Sequence, residues 1–405
     1  MIISADRTKN FQYAIRNVVA AAEKLESSGR RVIHLNIGDP QAFGFQPPAH
    51  VIEAVNRAIR DKFTGYAHSS GLLEARECIA AYASSLGAKT TADEVLITAG
   101  ASEGADLVLT ATVNPGDEVL LPAPGYPIYP AILNKLGAVA RYYKLDQQNE
   151  WLPSSEEIRS LITPRTRTIV LINPSNPTGA ITPDAVTREI LEIADKNNLL
   201  ILSDEVYRDL CFEVAPTSAS VLATDLETPV ITFESLSKTH MLSGWRVGWM
   251  RFTNSRQMAD LINAINRLAS GRLCSPITAQ YAIRPALEGD TSYIPKFVDE
   301  IRHRRDVAVE RVHSIEGLTC STPAAAFYLM IKVENNQGLS DEELALKLLD
   351  HSGVLLVHGS GFGADPNDGY FRLVYLANEE LLEQAFAQIA SWANFHREAV
   401  LFSSR

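Results

Sequence analysis

Cysteine is scarce. Four cysteines in 405 residues, at 78, 211, 274 and 320, lie far apart and form no C-x-x-C pair. That spacing offers neither a disulfide framework nor a zinc site, so no bound metal is expected. No apolar run approaches the roughly 18 residues of a membrane-spanning helix, and the opening MIISADRTKN lacks the basic segment and apolar core of a secretory signal. A soluble cytoplasmic protein without a membrane partner is the expectation. Positive charge is in deficit: 37 Lys and Arg against 48 Asp and Glu leave a net charge of -11. Binding to a phosphate backbone relies on clustered positive charge, so no nucleic-acid partner is expected. The one dense basic run, RHRR at 302–305, reads as the wet face of a helix. There is no internal repeat, no low-complexity tract and no linker rich in Gly, Pro and Ser.

What is present has ordinary globular composition, 46% hydrophobic and 21% charged, in a chain long enough for two or three domains. From about residue 94, short β-branched runs alternate with longer amphipathic ones: EVLITAG, EVLLPAP, ARYYKL, TIVLINP, LLILSDEVY, VITFESLSK and VGWMRF. Near-continuous apolar strands separated by helical patterns describe an α/β fold, a seven-stranded, mostly parallel sheet covered by helices on both faces. After about residue 290 the rhythm changes to a long charged helix, AAFYLMIKV, a helix near 340–351, VLLVHG, GYFRLVYL and a last helix from about 378, which reads as a smaller α+β domain. VIHLNIG near the start does not belong to the first strand series. The expected division is therefore an N-terminal segment, 1–45, packing with the small domain, a large cofactor-binding domain, 46–290, and a small C-terminal domain, 291–405.

Ligands of open parallel sheets bind beyond the carboxyl ends of the strands. Five strands end in AGASEG (99–104), PGYP (124–127), NPSNPTG (173–179), DEVY (204–207) and SLSK (235–238), delivering Ser102, Tyr126, Asn176, Asp204, Tyr207, Ser235 and Lys238 to one edge. Singly, each has a bland role: Asp204 as a helix cap, Tyr207 as core, the Gly and Pro as loop punctuation. Together they define a site. A lysine directly after a buried strand is a candidate amine nucleophile for a carbonyl, and the aldehyde of pyridoxal 5'-phosphate is the obvious stable partner. Asp204 suits the pyridinium nitrogen of that cofactor, because an adjacent carboxylate stabilises the protonated ring. Tyr207 can donate to its ring oxygen. AGASEG opens a helix whose N–H groups suit the phosphate, with Ser235, Ser237 and Arg246 adding hydroxyls and a guanidinium fork. GSGFG at 359–363 lacks the context of a nucleotide loop and reads as a flexible substrate-side loop.

At these residues the chain resembles the fold-type I pyridoxal-phosphate enzymes in their class I and II aminotransferase branch. The likeness runs from LNIGDP (35–40) and GYAHSSG (65–71) through NPSNPTG, SDEVY and SLSKTHMLSGWRVGW to YFRLVY (370–375), in order. YAIR (13–16), RLCSPITAQ (272–280) and GFG further resemble the glutamate-pyruvate (alanine) aminotransferases of bacteria and archaea. The resemblance implies that Lys238 is the Schiff-base lysine and proton shuttle and Asp204 the ring-nitrogen partner. It implies that Asn176 and Tyr207 bond the ring oxygen and that Tyr126 stacks on the ring. Ala101, Ser102, Ser235, Ser237 and Arg246 would hold the phosphate, joined by Tyr66 from the other subunit of a homodimer. Gly38, Asn176 and Arg372 would bind the substrate, Arg372 gripping its α-carboxylate. An enzyme that takes both a side-chain carboxylate and a methyl group needs a movable cation, which Tyr13 and Arg16 on an N-terminal segment would supply; the alternative is that Arg16 only caps or solvates the first helix. The implied activity is ping-pong transamination of alanine with 2-oxoglutarate. Transamination of aspartate, aromatic or branched-chain amino acids, or a C–S lyase or decarboxylase reaction, would use the same residues. GASEG lacks the lysine or threonine that some relatives carry at the phosphate turn, and His68 and Ser69 are departures within GYAHSSG, with a structural or solvated role expected for His68.

Overall fold

The computed structural model describes residues 2–9 and 16–403. In chain order the strands are β1 (Ile33–His34), β2 (Val95–Thr98), β3 (Glu118–Ala123), β4 (Val139–Lys144), β5 (Thr166–Ile172), β6 (Leu200–Asp204), β7 (Val230–Ser235), β8 (Gly248–Thr253), β9 (Leu318–Cys320), β10 (Tyr328–Val333), β11 (Val354–Leu355), β12 (Val357–His358) and β13 (Tyr370–Val374). All seven strands read from the first series form one sheet, in the order β2-β8-β7-β6-β5-β3-β4. It is parallel except for β8, which runs antiparallel to β2 and β7.

Helices cover both faces of this sheet, and the pleat decides which residue faces which. Val170, Leu202, Ile231 and Phe233 pack with the helix Ala101–Thr112, while Ile169, Leu171, Ile201 and Val230 pack with the helix Asp184–Lys196. Every side chain of β6 and β7 is therefore buried, as expected for central parallel strands. β4 is the exception among the seven: it lies at an edge, with only Tyr143 buried.

The second series forms an antiparallel sheet, β12-β13-β10-β9, flanked by the long helices Tyr293–Ser314 and Glu379–Ser403. β9 carries no alternation strong enough to announce it and forms by pairing with β10. The beginning of the chain joins this part. β1 pairs in parallel with β11, the Leu35 N–H donates to Leu355 O at 3.1 Å, and the Val374 N–H donates to Leu35 O at 2.8 Å. Val18, Ala22 and Leu35 are fully buried in the same core as Leu348, Leu373 and Trp392.

Two local expectations are corrected. The basic run 302–305 is wet only at Arg302 and His303; Arg304 lies over the Phe45 ring and donates to Leu376 O, and Arg305 lies over Phe212. Arginine stems and planar heads pack on aromatic faces, so a charge run does not have to be solvated. GSGFG is also no flexible loop. Gly359–Phe362 is a buried 3-10 turn, held by two hydrogen bonds of 2.6 Å from the Ser360 N–H and hydroxyl to Asp341.

Leu35→Ala should lower the resistance of the folded protein to denaturant by roughly 2–5 kcal/mol, the range for deleting a fully buried leucine side chain. The loss should appear in equilibrium urea unfolding, and an unchanged midpoint would mean that the N-terminal strand is not part of this core.

Candidate active site

The carboxyl edge of the seven-stranded sheet meets β1, β10 and β13 across a cavity of about 640 Å³. Ala101, Ser102, Tyr126, Asn176, Asp204, Tyr207, Ser235, Ser237, Lys238 and Arg246 all line it, and Gly38 and Arg372 close it from the other part of the chain. The residues delivered by five strands are thus brought together. Tyr66 is elsewhere, 84% exposed and away from this cavity. His68 is exposed and accepts from the Ser70 N–H, in keeping with a structural role. Tyr13 lies outside the described residues. Arg16 begins the helix Arg16–Ser27, whose Val19, Glu23 and Glu26 reach the cavity mouth.

Lys238 follows β7 and turns its ammonium to Gly38 O, 2.7 Å away. Burial pushes its pKa down to about 8, with Arg372 and Arg246 adding repulsion and Asp39 and Asp204 opposing it. About a tenth of the amine is therefore neutral at pH 7, against well under a thousandth for an ordinary lysine. Asp204, at the end of β6, is buried and accepts from the Tyr129 hydroxyl at 2.9 Å and from the Val206 N–H at 3.3 Å. Burial raises its carboxyl to about 6, while these two donors hold it down. An added cation beside it, such as a protonated pyridine nitrogen, would restore the carboxylate fully.

The phosphate end is built from backbone as much as from side chains. Gly100 caps the helix Ala101–Thr112 with φ +84°, no side chain caps that helix, and a Cβ at Gly100 would collide with the Arg246 guanidinium. A Cβ at Gly248 would come within 2.6 Å of Ala101 N. These two close approaches put a helix N-terminus, an arginine and the hydroxyls of Ser235 and Ser237 on one wall, a donor set suited to a phosphate dianion. Arg246 itself has φ +56° and donates to Ser243 O and Ala99 O.

The opposite end carries Arg372. Its guanidinium donates to Asn176 Oδ1 at 3.2 Å and to Asn36 O at 2.7 Å, and lies 4.7 and 4.4 Å from the centroids of the Tyr328 and Phe362 rings. Asn36 Oδ1 lines the cavity and is buried without a hydrogen-bond partner among the described residues. An arginine held flat in this way presents a fork to a carboxylate. A Schiff-base amine, a carboxylate for a ring nitrogen, a phosphate cradle and a carboxylate fork within one cavity fit pyridoxal phosphate with an amino acid beside it.

Sequence reasoning missed Tyr129, Tyr328, Asn36, Asp39 and Phe362. Tyr129 had a faint signal, three residues after Tyr126 at the start of a helix; the others belong to segments 90 or more residues from the lysine. Tyr129→Phe, in cofactor-free protein, should move the Asp204 titration above about 6, since a donor to the charged form is lost and its burial is kept. Infrared titration of the carboxyl band checks this, and a midpoint that stays put or falls counts against the contact.

Comparison with known proteins agrees with this geometry. Residues 30–389 match the family model for aminotransferase class I and II. The chain is 36% identical over 403 residues to the glutamate-pyruvate aminotransferase AlaA of Haemophilus influenzae, covering 97% of this chain and 98% of that protein. It is 32% identical over 395 residues to an alanine aminotransferase of Mycobacterium tuberculosis, covering 95% and 91%. Among solved structures, alanine aminotransferase from Pyrococcus furiosus superposes with a TM-score of 0.94 at 37% identity, covering 97% of this chain and all of that one. The chain belongs to the class I and II aminotransferases, enzymes that use pyridoxal phosphate to move an amino group between amino acids and 2-oxo acids.

Proposed function

We propose that this aminotransferase moves the amino group between alanine and 2-oxoglutarate, as a cytoplasmic homodimer, with Lys238 as its catalytic base and acid. The observation that carries the reading is the single cavity on which Lys238, Asp204, Tyr207, Asn176, Arg246 and Arg372 converge. The alanine preference is supported by relatives named as glutamate-pyruvate and alanine aminotransferases along almost their whole length. In this reading residues 46–290 form the cofactor domain and 291–405 the small domain, to which the first 45 residues attach.

Pyridoxal phosphate, when bound, supplies an aldehyde for amines and a ring that withdraws electrons from the α-carbon. The chain does the rest. Asp204, steadied by Tyr129, holds the proton on the ring nitrogen. Tyr207 and Asn176 would bond the ring oxygen, Tyr126 would cover one ring face, and Ala101, Ser102, Ser235, Ser237 and Arg246 would hold the phosphate. Arg372 takes the α-carboxylate bidentately, which orients the α-carbon hydrogen toward Lys238. Lys238, whose amine pKa burial pushes down to about 8, would take up that proton and hold it for return as base and then acid. Gly38 O accepts from the free amine.

Assay of a panel of amino acids against pyruvate and 2-oxoglutarate tests the substrate assignment. Alanine with 2-oxoglutarate should give the highest kcat/KM, and a preference of tenfold or more for aspartate, aromatic or branched-chain donors would replace it. Independently of turnover, cofactor-free protein should take up pyridoxal phosphate faster as pH rises through about 8, because only the neutral amine attacks the aldehyde. Lys238→Ala should form no borohydride-reducible adduct at any pH; a reducible adduct on that variant would move the role to another lysine.

Tyr66 is proposed to reach the neighbouring subunit's phosphate, which accounts for an aromatic residue left 84% exposed. Mixed dimers formed from inactive Tyr66→Ala and Lys238→Ala chains should regain part of the wild-type rate, since one of their two sites would be intact. Mixtures that stay at the level of the parents would confine each site to a single chain.

A further inference from the structure

Tyr328 stands at the junction of the two ends of the cavity, in a part of the chain distant from the lysine. It lies on β10, two residues before Met330, which pairs with Arg372 on β13. Tyr328 is therefore a diagonal neighbour of Arg372 across the antiparallel pair, and its ring lies 4.7 Å from the guanidinium carbon. At the other end of the same side chain, its hydroxyl is 2.6 Å from the Tyr207 hydroxyl, and the two rings meet edge to face at 5.5 Å. A side chain at Gly38, whose carbonyl accepts from Lys238, would collide with that hydroxyl. Tyr328 is 2% exposed.

A phenol has one proton to donate and can also accept. If Tyr207 donates to Tyr328, it has nothing left for the ring oxygen of the cofactor. If Tyr328 donates to Tyr207, the Tyr207 proton is available, and its bond is strengthened because donors in a chain polarise one another. Resting on the role proposed above for Tyr207, we propose that Tyr328 is a positioning residue that donates its hydroxyl proton to Tyr207, so that Tyr207 donates to the ring oxygen, while its ring face holds Arg372 flat for the substrate carboxylate. One side chain then ties the cofactor's oxygen to the substrate's carboxylate.

The two wirings predict opposite signs. A donor at the ring oxygen stabilises its anionic form and lowers the pH at which the bound cofactor's visible absorbance titrates. In holoenzyme carrying Tyr328→Phe, the ring is kept and the hydroxyl lost, so the Tyr207 bond weakens. The midpoint should then rise, by on the order of half a pH unit, in the same direction as Tyr207→Phe and by less. A fall in the midpoint would mean that Tyr207 donates to Tyr328, and no change would mean that the contact has no bearing on the cofactor; either overturns the proposal. The ring is tested separately. Tyr328→Leu should raise KM for the amino donor roughly tenfold beyond Tyr328→Phe, as expected for losing one face of a cation–π contact, and equal KM values would remove the ring from the account. The wild-type spectrum separates this inference from the underlying one: protein that shows no cofactor absorbance after incubation with pyridoxal phosphate refutes the site itself, whereas a normal wild-type titration with an unmoved Tyr328→Phe refutes only the role of Tyr328.

Discussion

The 2.7 Å hydrogen bond from Lys238 to Gly38 O joins two residues 200 positions apart, and the arrangement of the cavity depends on the junction it marks. Lys238 is carried by β7, in the centre of the large sheet; Gly38 is carried by the segment that follows β1, which is tied to β11 and to the end of β13. An amine enclosed here loses hydration, and the surrounding charges offset one another, Arg372 and Arg246 against Asp39 and Asp204. The result is a lysine near the middle of its titration at mildly alkaline pH, which is what proton transfer at carbon requires.

Support for that lysine comes from groups that never reach the cavity. Beneath it, the Glu234 carboxylate on β7 accepts from Arg251 Nε at 2.6 Å and from the Trp249 indole at 2.8 Å, both on the antiparallel neighbour β8. Arg251 draws the Glu234 pKa down against its burial. A paired charge of this kind between two strands resists sliding of one past the other, since a shifted register would leave both ions buried and unpaired. On the far side, Asp341 holds the turn Gly359–Phe362 through Ser360, and Phe362 in turn covers Arg372. Asp341 is fully buried and burial raises its pKa, so its hydrogen bonds are made in a site with little competition from water.

Much of this was legible beforehand. The seven strands are visible because central parallel strands are apolar on both faces, and their carboxyl ends name the residues that line the cavity. β4 shows the boundary of that argument: ARYYKL has the composition of a strand, but only Tyr143 is buried, whereas β2 at the opposite edge is buried along its length, with Val95 and Ile97 packed against the helix Leu73–Ser85. The basic run at 302–305 and the turn at 359–363 were misread for a common reason. Local polarity and glycine content say how a segment behaves in isolation, whereas Phe45, Phe212 and Asp341, from distant segments, supply the partners that bury them.

The sequence by itself determined the layered α/β architecture, the family, the cofactor and the residues at the strand ends, because each of those follows from local periodicity or from short motifs whose geometry is carried by neighbouring residues. Tertiary structure alone decided that Tyr129 donates to Asp204, that Tyr328 sits between Tyr207 and Arg372, that Asn36 O accepts from Arg372, and that the Asp39 charge acts on the lysine. Those contacts join residues separated by 44 positions, for Tyr328 and Arg372, to 336, for Asn36 and Arg372. No local pattern encodes which tyrosine of a buried strand meets which arginine of another, since that depends on how the N-terminal strand, the large sheet and the small sheet dock, and docking is set by the summed burial of all their faces.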